Sequence, residues 1–475
     1  MKIYNNIKKI TLSTFAVLSL ISCTKELDIN VNPNVPADAP LKNLLPTPQV
    51  NLAYTLGGNV NRLSGSVVQH YAGHRAQPLD YARYNITSAA SDNLWTNMYN
   101  TGYDLKNIES KSKLSGDKIY LGISQILSAY VFSVTTDLYG DIPYSEALRG
   151  ALNITPKYDK QEEIYPKLIS LIDEGISNVK SNQGLKPTTD DLIYGGNIVK
   201  WERFANSLKL RLYNHLSKRD SNAALNFLNT SPLLIDTAAN DAKLVFGTTA
   251  SNANPIHQFD VLSGRKDNAV SSTIVNKMKA LNDPRIPLFF KPVVNIPNAG
   301  QILGNIPGND TDDSGESRYS RVGSAYASIN SPVYLASAAE INFIKSEVYF
   351  RNNDLVNAKT YYDLAITQDF TSLGIATAAP AYIITAGVIY DNTLEKIIEQ
   401  KWITMFQSPH EAWVDWRRTG FPLLQVPPIT LTQGVIPRRL PYPQIEINVN
   451  RNSLQQGPGV PVPYVTLLTK VWWEN

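Results

Sequence analysis

The chain has 475 residues, 43% of them hydrophobic and 18% charged, enough apolar material for a large buried core and too much for a disordered chain. A formal charge of +3 without Lys/Arg blocks gives no electrostatic footprint for nucleic acid. One cysteine excludes a disulfide framework within the chain.

Lys2, Lys8 and Lys9 precede a short apolar run from Ile10 to Ser22, which predicts a signal peptide over residues 1–22. About a dozen apolar positions are too few to span a bilayer comfortably. The lone cysteine closes that run in Leu20-Ile21-Ser22-Cys23, which resembles a bacterial lipobox with Cys23 as the lipid attachment site. Two or more acyl chains there would make a stable anchor. A plain secretory signal with a chance cysteine is the alternative. Cleavage before Cys23 removes three lysines and no acid, which takes the formal charge to zero. An acylated Cys23 also leaves no thiol for metal binding or nucleophilic catalysis.

Residues 23–48 carry Pro33, Pro36, Pro40, Pro46 and Pro48 and read as an anchor with an extended tether. Residues 49–475 read as the folded body, a single large domain or two tightly packed lobes, since no Gly/Ser or Pro tract divides them. Within the body, apolar residues at three- and four-residue steps predict helices over Tyr120–Leu138, Ile164–Val179, Trp201–Leu216, Leu335–Phe350, Ala358–Ile366 and Leu394–Phe406. The fold class is therefore mainly α. Ser346, Tyr349, Ala358, Tyr362 and Ala365 fall at the small/aromatic offsets of a tetratricopeptide repeat, whereas an ordinary helical hairpin would satisfy the periodicity alone. Residues 228–335 and 420–475 are rich in Pro, Gly and Asn and read as loop-rich regions, where recognition residues commonly sit.

His70 and His74 have i,i+4 spacing, but Tyr71 stands where a metalloprotease needs Glu, so surface or ligand-facing histidines are the better reading. Asp310 to Gly315 opens like a calcium loop but reaches Arg321 where a bidentate Glu is required, which leaves a polar turn. No nucleophile elbow, P-loop or dinucleotide fingerprint is present. Glu399, Glu411, Asp415, Arg417 and Arg418 are expected to form ion pairs around buried Trp402, Trp413 and Trp416. Loop aromatics suit the C–H faces and hydroxyls of a sugar. Two clusters are candidate ligand contacts: Tyr71, His74, Gln77, Tyr81, Tyr84 and Trp95, with Arg75 and Asn97 nearby, and Tyr319 and Tyr326, with Arg318 and Arg321.

Glu395 to Phe406, followed by Glu411-Ala-Trp413-Val-Asp-Trp416-Arg417-Arg418-Thr-Gly420, resembles the hallmark of the SusD/RagB family. Gly140-Asp-Ile-Pro143, Trp201 to Leu208, Arg438-Arg-Leu-Pro441-Tyr442-Pro443 and Val471-Trp472-Trp473 follow in the family's order. The resemblance spans essentially the whole chain and is to the SusD-like branch that ends in a Trp pair. It implies four tetratricopeptide-like units, a loop-rich ligand face and no catalysis or cofactor. It also implies a lipid-anchored place on the Gram-negative outer membrane, where the protein captures an oligosaccharide or similar nutrient for a SusC-like TonB-dependent transporter. Thr24-Lys25-Glu26 resembles the family's surface-export signal. A surface glycoside hydrolase would instead need two carboxylates facing across a cleft. A tetratricopeptide-type protein-binding scaffold would show a bare concave groove.

Overall fold

A computed structural model describes residues 39–311, 318–432 and 434–475. The signal-like segment, Cys23 and the polar turn after Thr311 lie outside the described residues. Helix formation begins earlier than the proline content suggested. Leu41–Leu44 is already helical, and Pro46–Thr55 (α1) follows with proline in its first turn, where no amide donor is lost. Leu41 and Leu45 are buried, so the end of the expected tether belongs to the body, which runs from Leu41 to Asn475.

Eight further long helices build that body: α2 Ser88–Ser115, α3 Lys118–Tyr139, α4 Gln161–Lys180, α5 Ile198–His215, α6 Ala338–Arg351, α7 Leu355–Ser372, α8 Leu394–Thr404 and α9 Pro409–Thr419. They follow one another as antiparallel hairpins, with α3 packed on α2 and α4, and α6 packed on α7 and α8. Four of the six predicted helices match to within a few residues. The segment from Leu335 is corrected at its start, because Leu335 and Ala336 belong to a strand. The helix begins only where the Ser337 side chain accepts from the Glu340 amide.

The tetratricopeptide register holds at the α6/α7 crossing. Ser346, Ala358, Tyr362 and Ala365 are fully buried there, and the Ser346 hydroxyl donates to the Ala358 carbonyl at 2.7 Å. Small residues at the crossing are what allow a side chain of one helix to reach the backbone of the other. Tyr349 lies at the margin and stacks on Tyr361, centroids 5.4 Å apart.

α3 is the one helix among the described residues long and apolar enough to cross a membrane by length and composition. It is instead the central core helix, buried on every side. Gly122 on α3 and Gly175 on α4 meet face to face. A Cβ on Gly122 would stand 2.6 Å from the Gly175 carbonyl oxygen, so the close approach requires glycine.

Strands are few: β1 Ala242–Val245 pairs antiparallel with β4 Pro332–Ala336, and β2 Phe290–Lys291 with β3 Arg321–Val322. They staple the loop-rich insertion between α5 and α6 onto the helical scaffold. The expected ion-pair cluster is present under it. Arg418 bridges Glu347 and Asp415, Lys401 pairs with Asp415 at 2.8 Å, Lys277 pairs with Glu399 at 2.7 Å, and Trp402, Trp413 and Trp416 are buried among them.

Candidate functional site

The insertion between α5 and α6 holds a cleft of about 990 Å³. Its walls are a helical turn over residues 255–262, the segment 287–294 and the segment 319–329. The β2/β3 ribbon fixes two of these walls, because its register sets Lys291 opposite Arg321 and Phe290 opposite Val322. Gly323 continues that strand, and a Cβ there would stand 2.4 Å from the Leu288 carbonyl oxygen. The third wall is fixed by His257, whose Nδ1 donates to the Ala327 carbonyl at 3.0 Å and leaves Nε2 as an acceptor.

The lining combines apolar surface from Phe290, Pro292, Val294 and Tyr319 with the polar groups of His257, Asp260, Lys266, Lys291 and Arg321. Apolar walls with a few convergent polar groups on a rigid frame are the usual design of a small-molecule site. Asp260 stands out chemically. Both its carboxylate oxygens are buried without a hydrogen-bond partner. Burial pushes its pKa up to about 7, against the opposing pull of Arg321 and Arg62 and with a further rise from Asp267.

The sequence-derived candidates divide sharply. Tyr319 lines the cleft and is half-buried, with its ring 5.5 Å from that of His74. His74 stands behind it, fully buried, with Nε2 3.0 Å from the Lys266 carbonyl and 3.4 Å from the Arg321 guanidinium. Burial holds the His74 pKa down, the Lys266 carbonyl opposes this, and Arg321 and Arg75 lower it further. Gln77 is exposed on the helix Ala76–Ala82, away from the cleft lining.

The remaining candidates are buried in the core. Tyr71 packs on Phe406 at 5.3 Å, and Tyr326 packs on Phe289 at 5.1 Å. Tyr81 and Tyr84 are buried, and the Tyr84 hydroxyl donates to the Val67 carbonyl. Trp95 is not in a loop but on α2, among Tyr99, Tyr139, Tyr158 and Tyr442. Arg75 is committed to Asp267 at 2.7 Å.

His70 and His74 do not share a helical face. The chain turns at Gln69 (φ +60°) and runs extended beside Val270, so His70 points into the core and bonds the Trp402 carbonyl at 2.9 Å. Neither histidine is at the surface. Among the described residues no group of three or more His, Cys, Asp or Glu is placed to hold a metal ion. Sequence reading missed His257, Asp260, Lys266, Phe290 and Lys291. Their only signal was membership of the Pro-rich stretch 228–335.

The class this architecture defines is a scaffold of helical hairpins carrying a loop-built cleft. The chain belongs to the SusD-like family, described as starch-binding and associating with the outer membrane, whose pattern it matches over residues 33–443. Solved structures agree. A SusD homologue from Bacteroides uniformis shares 26% identity at a TM-score of 0.75, covering 91% of this chain and 99% of that one. A chitin-binding SusD homologue from Flavobacterium johnsoniae shares 24% at 0.78, covering 92% and 98%. A SusD/RagB family protein from Bacteroides thetaiotaomicron shares 23% at 0.78, covering 92% and 99%. No curated protein matches the chain.

Proposed function

We propose that the protein captures an oligosaccharide in the cleft between residues 255–262, 287–294 and 319–329 and passes it, uncleaved, to a SusC-like TonB-dependent transporter. In this reading Cys23 carries the lipid that tethers the body to the cell surface. The observation that carries the proposal is the cleft itself. It has room for several sugar rings, the half-buried ring of Tyr319 at its wall, and polar groups held by a β ribbon rather than by mobile loops. The family description and the chitin-binding relative support a saccharide as cargo.

Every described core residue lies within Leu41–Asn475, so a chain lacking residues 1–23 keeps what holds the body together. Titration of that chain with chito-oligosaccharides and starch oligosaccharides by calorimetry tests the reading. Binding without product release is expected. Tyr319→Ala should weaken it about two- to tenfold with an unchanged melting temperature, because a single stacked ring contributes on the order of 0.5–1.5 kcal/mol. Cleavage of the glycan, or binding indifferent to Tyr319, would count against the assignment. Co-purification with a barrel transporter tests the delivery step.

A further inference from the structure

A second, smaller cleft of about 370 Å³ lies on the other side of the turn 255–262, lined by Tyr54, Asn59, Arg62, Asn97, Gln258 and Phe259 among others. Arg62 is its unusual member. The residue is 8% exposed, and its guanidinium lies 4.0 Å over the ring of Phe259. One of its amino groups donates to the neutral amide oxygen of Asn59, while Nε is buried with no partner. Among the described residues no carboxylate comes within ion-pairing distance of it. Asp260 acts on it only through space and faces the larger cleft.

A buried cation without a counter-ion is costly to maintain, since desolvation is not offset by a paired charge. Of the other arginines this deeply buried, all but Arg439 lie within ion-pairing distance of a carboxylate. Arg211, Arg285 and Arg418 each hold one or two carboxylates, and Arg417 and Arg439 donate to backbone carbonyls. Arg265, whose guanidinium also lies over Phe259, adds a second positive charge at 4.8 Å from the ring, although Asp267 pairs with it. The remaining groups of the cleft are neutral hydrogen-bonding groups. The Gln258 amide nitrogen is committed to the Tyr54 hydroxyl and the Ala253 carbonyl, which leaves its oxygen as an acceptor. A planar guanidinium beside amides and a hydroxyl is the arrangement that recognises a carboxylate on a polyhydroxylated body.

We propose that this smaller cleft is an anion subsite, in which a carboxylate carried by a saccharide pairs with Arg62. The proposal rests on the glycan reading only for what carries the carboxylate, either an acidic oligosaccharide or a free sugar acid. The test uses the chain lacking residues 1–23 at constant ionic strength, titrated with oligogalacturonate, sodium glucuronate, glucose and a chito-oligosaccharide. Affinity for the acidic probes should exceed that for glucose at least about tenfold. Arg62→Gln should abolish that preference and leave chito-oligosaccharide binding unchanged. Tighter binding of glucuronate than of oligogalacturonate would identify a free sugar acid as the source, and the reverse order a polymer. Equal affinity for glucuronate and glucose, or an Arg62→Gln chain that keeps the preference, overturns the subsite. Absence of chito-oligosaccharide binding by the unmodified chain, with the acidic preference present, overturns the glycan reading of the larger cleft instead. Should Arg62→Gln fail to fold, thermal unfolding of the unmodified chain decides. Glucuronate must raise the melting temperature above an equal concentration of sodium chloride while glucose does not, and no such rise overturns the proposal.

Discussion

Asp137 near the end of α3 gathers partners from four distant places in the chain. Its Oδ1 accepts from the Tyr165 hydroxyl at 2.5 Å and the Trp473 indole at 2.9 Å, and its Oδ2 lies 3.3 Å from His215 Nδ1. The other ring nitrogen of His215 lies 3.1 Å from Glu411, which Arg211 approaches at 3.7 Å, with His410 at 3.6 Å. Arg417 covers the backbone carbonyl of Asp137. Burial alone opposes a charged imidazole here, but the Glu411 and Asp137 carboxylates outweigh it and lift the His215 pKa to about 9. A folded-state pKa raised above its ordinary value stabilises fully below about pH 6.5. That contribution disappears as pH rises through about 9. The body is therefore expected to lose up to about 3 kcal/mol between pH 6 and 9.5 from this one ring. Urea titration at both pH values measures the loss, and His215→Gln should flatten the slope. An unchanged slope in the variant would place the titration elsewhere. At this scale the sequence was least legible. Tyr71, Tyr81, Tyr84, Trp95 and Tyr326 share the composition of ligand-contacting aromatics, and only three-dimensional burial separates them from Tyr319.

Whole helices were more legible than single side chains, because periodicity averages over many residues. α3, α4, α5 and α8 could be read from their apolar stripes, and α7 in its middle. α2 escaped because it is polar overall, yet Leu94, Trp95, Met98, Leu105 and Ile108 hold a helical step and are all buried. The Asn and Gly within it masked that pattern as loop. The α3/α4 crossing supplies a second prediction. Gly122→Ala should gain roughly 1 kcal/mol of intrinsic helix propensity, yet the added methyl would meet the Gly175 carbonyl and the Val179 backbone. Overpacking of this kind costs about 1–3 kcal/mol, so a net destabilisation is expected in chemical denaturation. A more stable Gly122→Ala chain would show that the two helices can part without penalty.

For the molecule as a whole, division of labour between scaffold and insertion sets what ligand binding will do. The hairpins are held by a continuous core, whereas the cleft walls belong to short segments of the insertion between α5 and α6. Hydrogen exchange with a saturating oligosaccharide should therefore show new protection confined to 255–262, 287–294 and 319–329, with α2 to α5 unchanged. Protection spread across the hairpins would point to a scaffold that moves with its cargo. Family membership was legible from motifs distributed over the entire chain. The cleft was not, because its lining comes from segments whose juxtaposition depends on the two-residue β2/β3 ribbon, too short to leave a pattern.

The contact between Trp473 and Asp137 joins residues 336 positions apart, and Arg417 lies 4.8 Å over the same indole. Replacing Trp473 by Ala should cost about 3–5 kcal/mol by denaturant titration, since it empties a fully buried site and strips Asp137 of a donor. The timing of synthesis gives this pairing a further consequence. The first hairpins therefore lack this buried partner until Trp473 itself has been synthesised, a contact of long sequence separation that closes late.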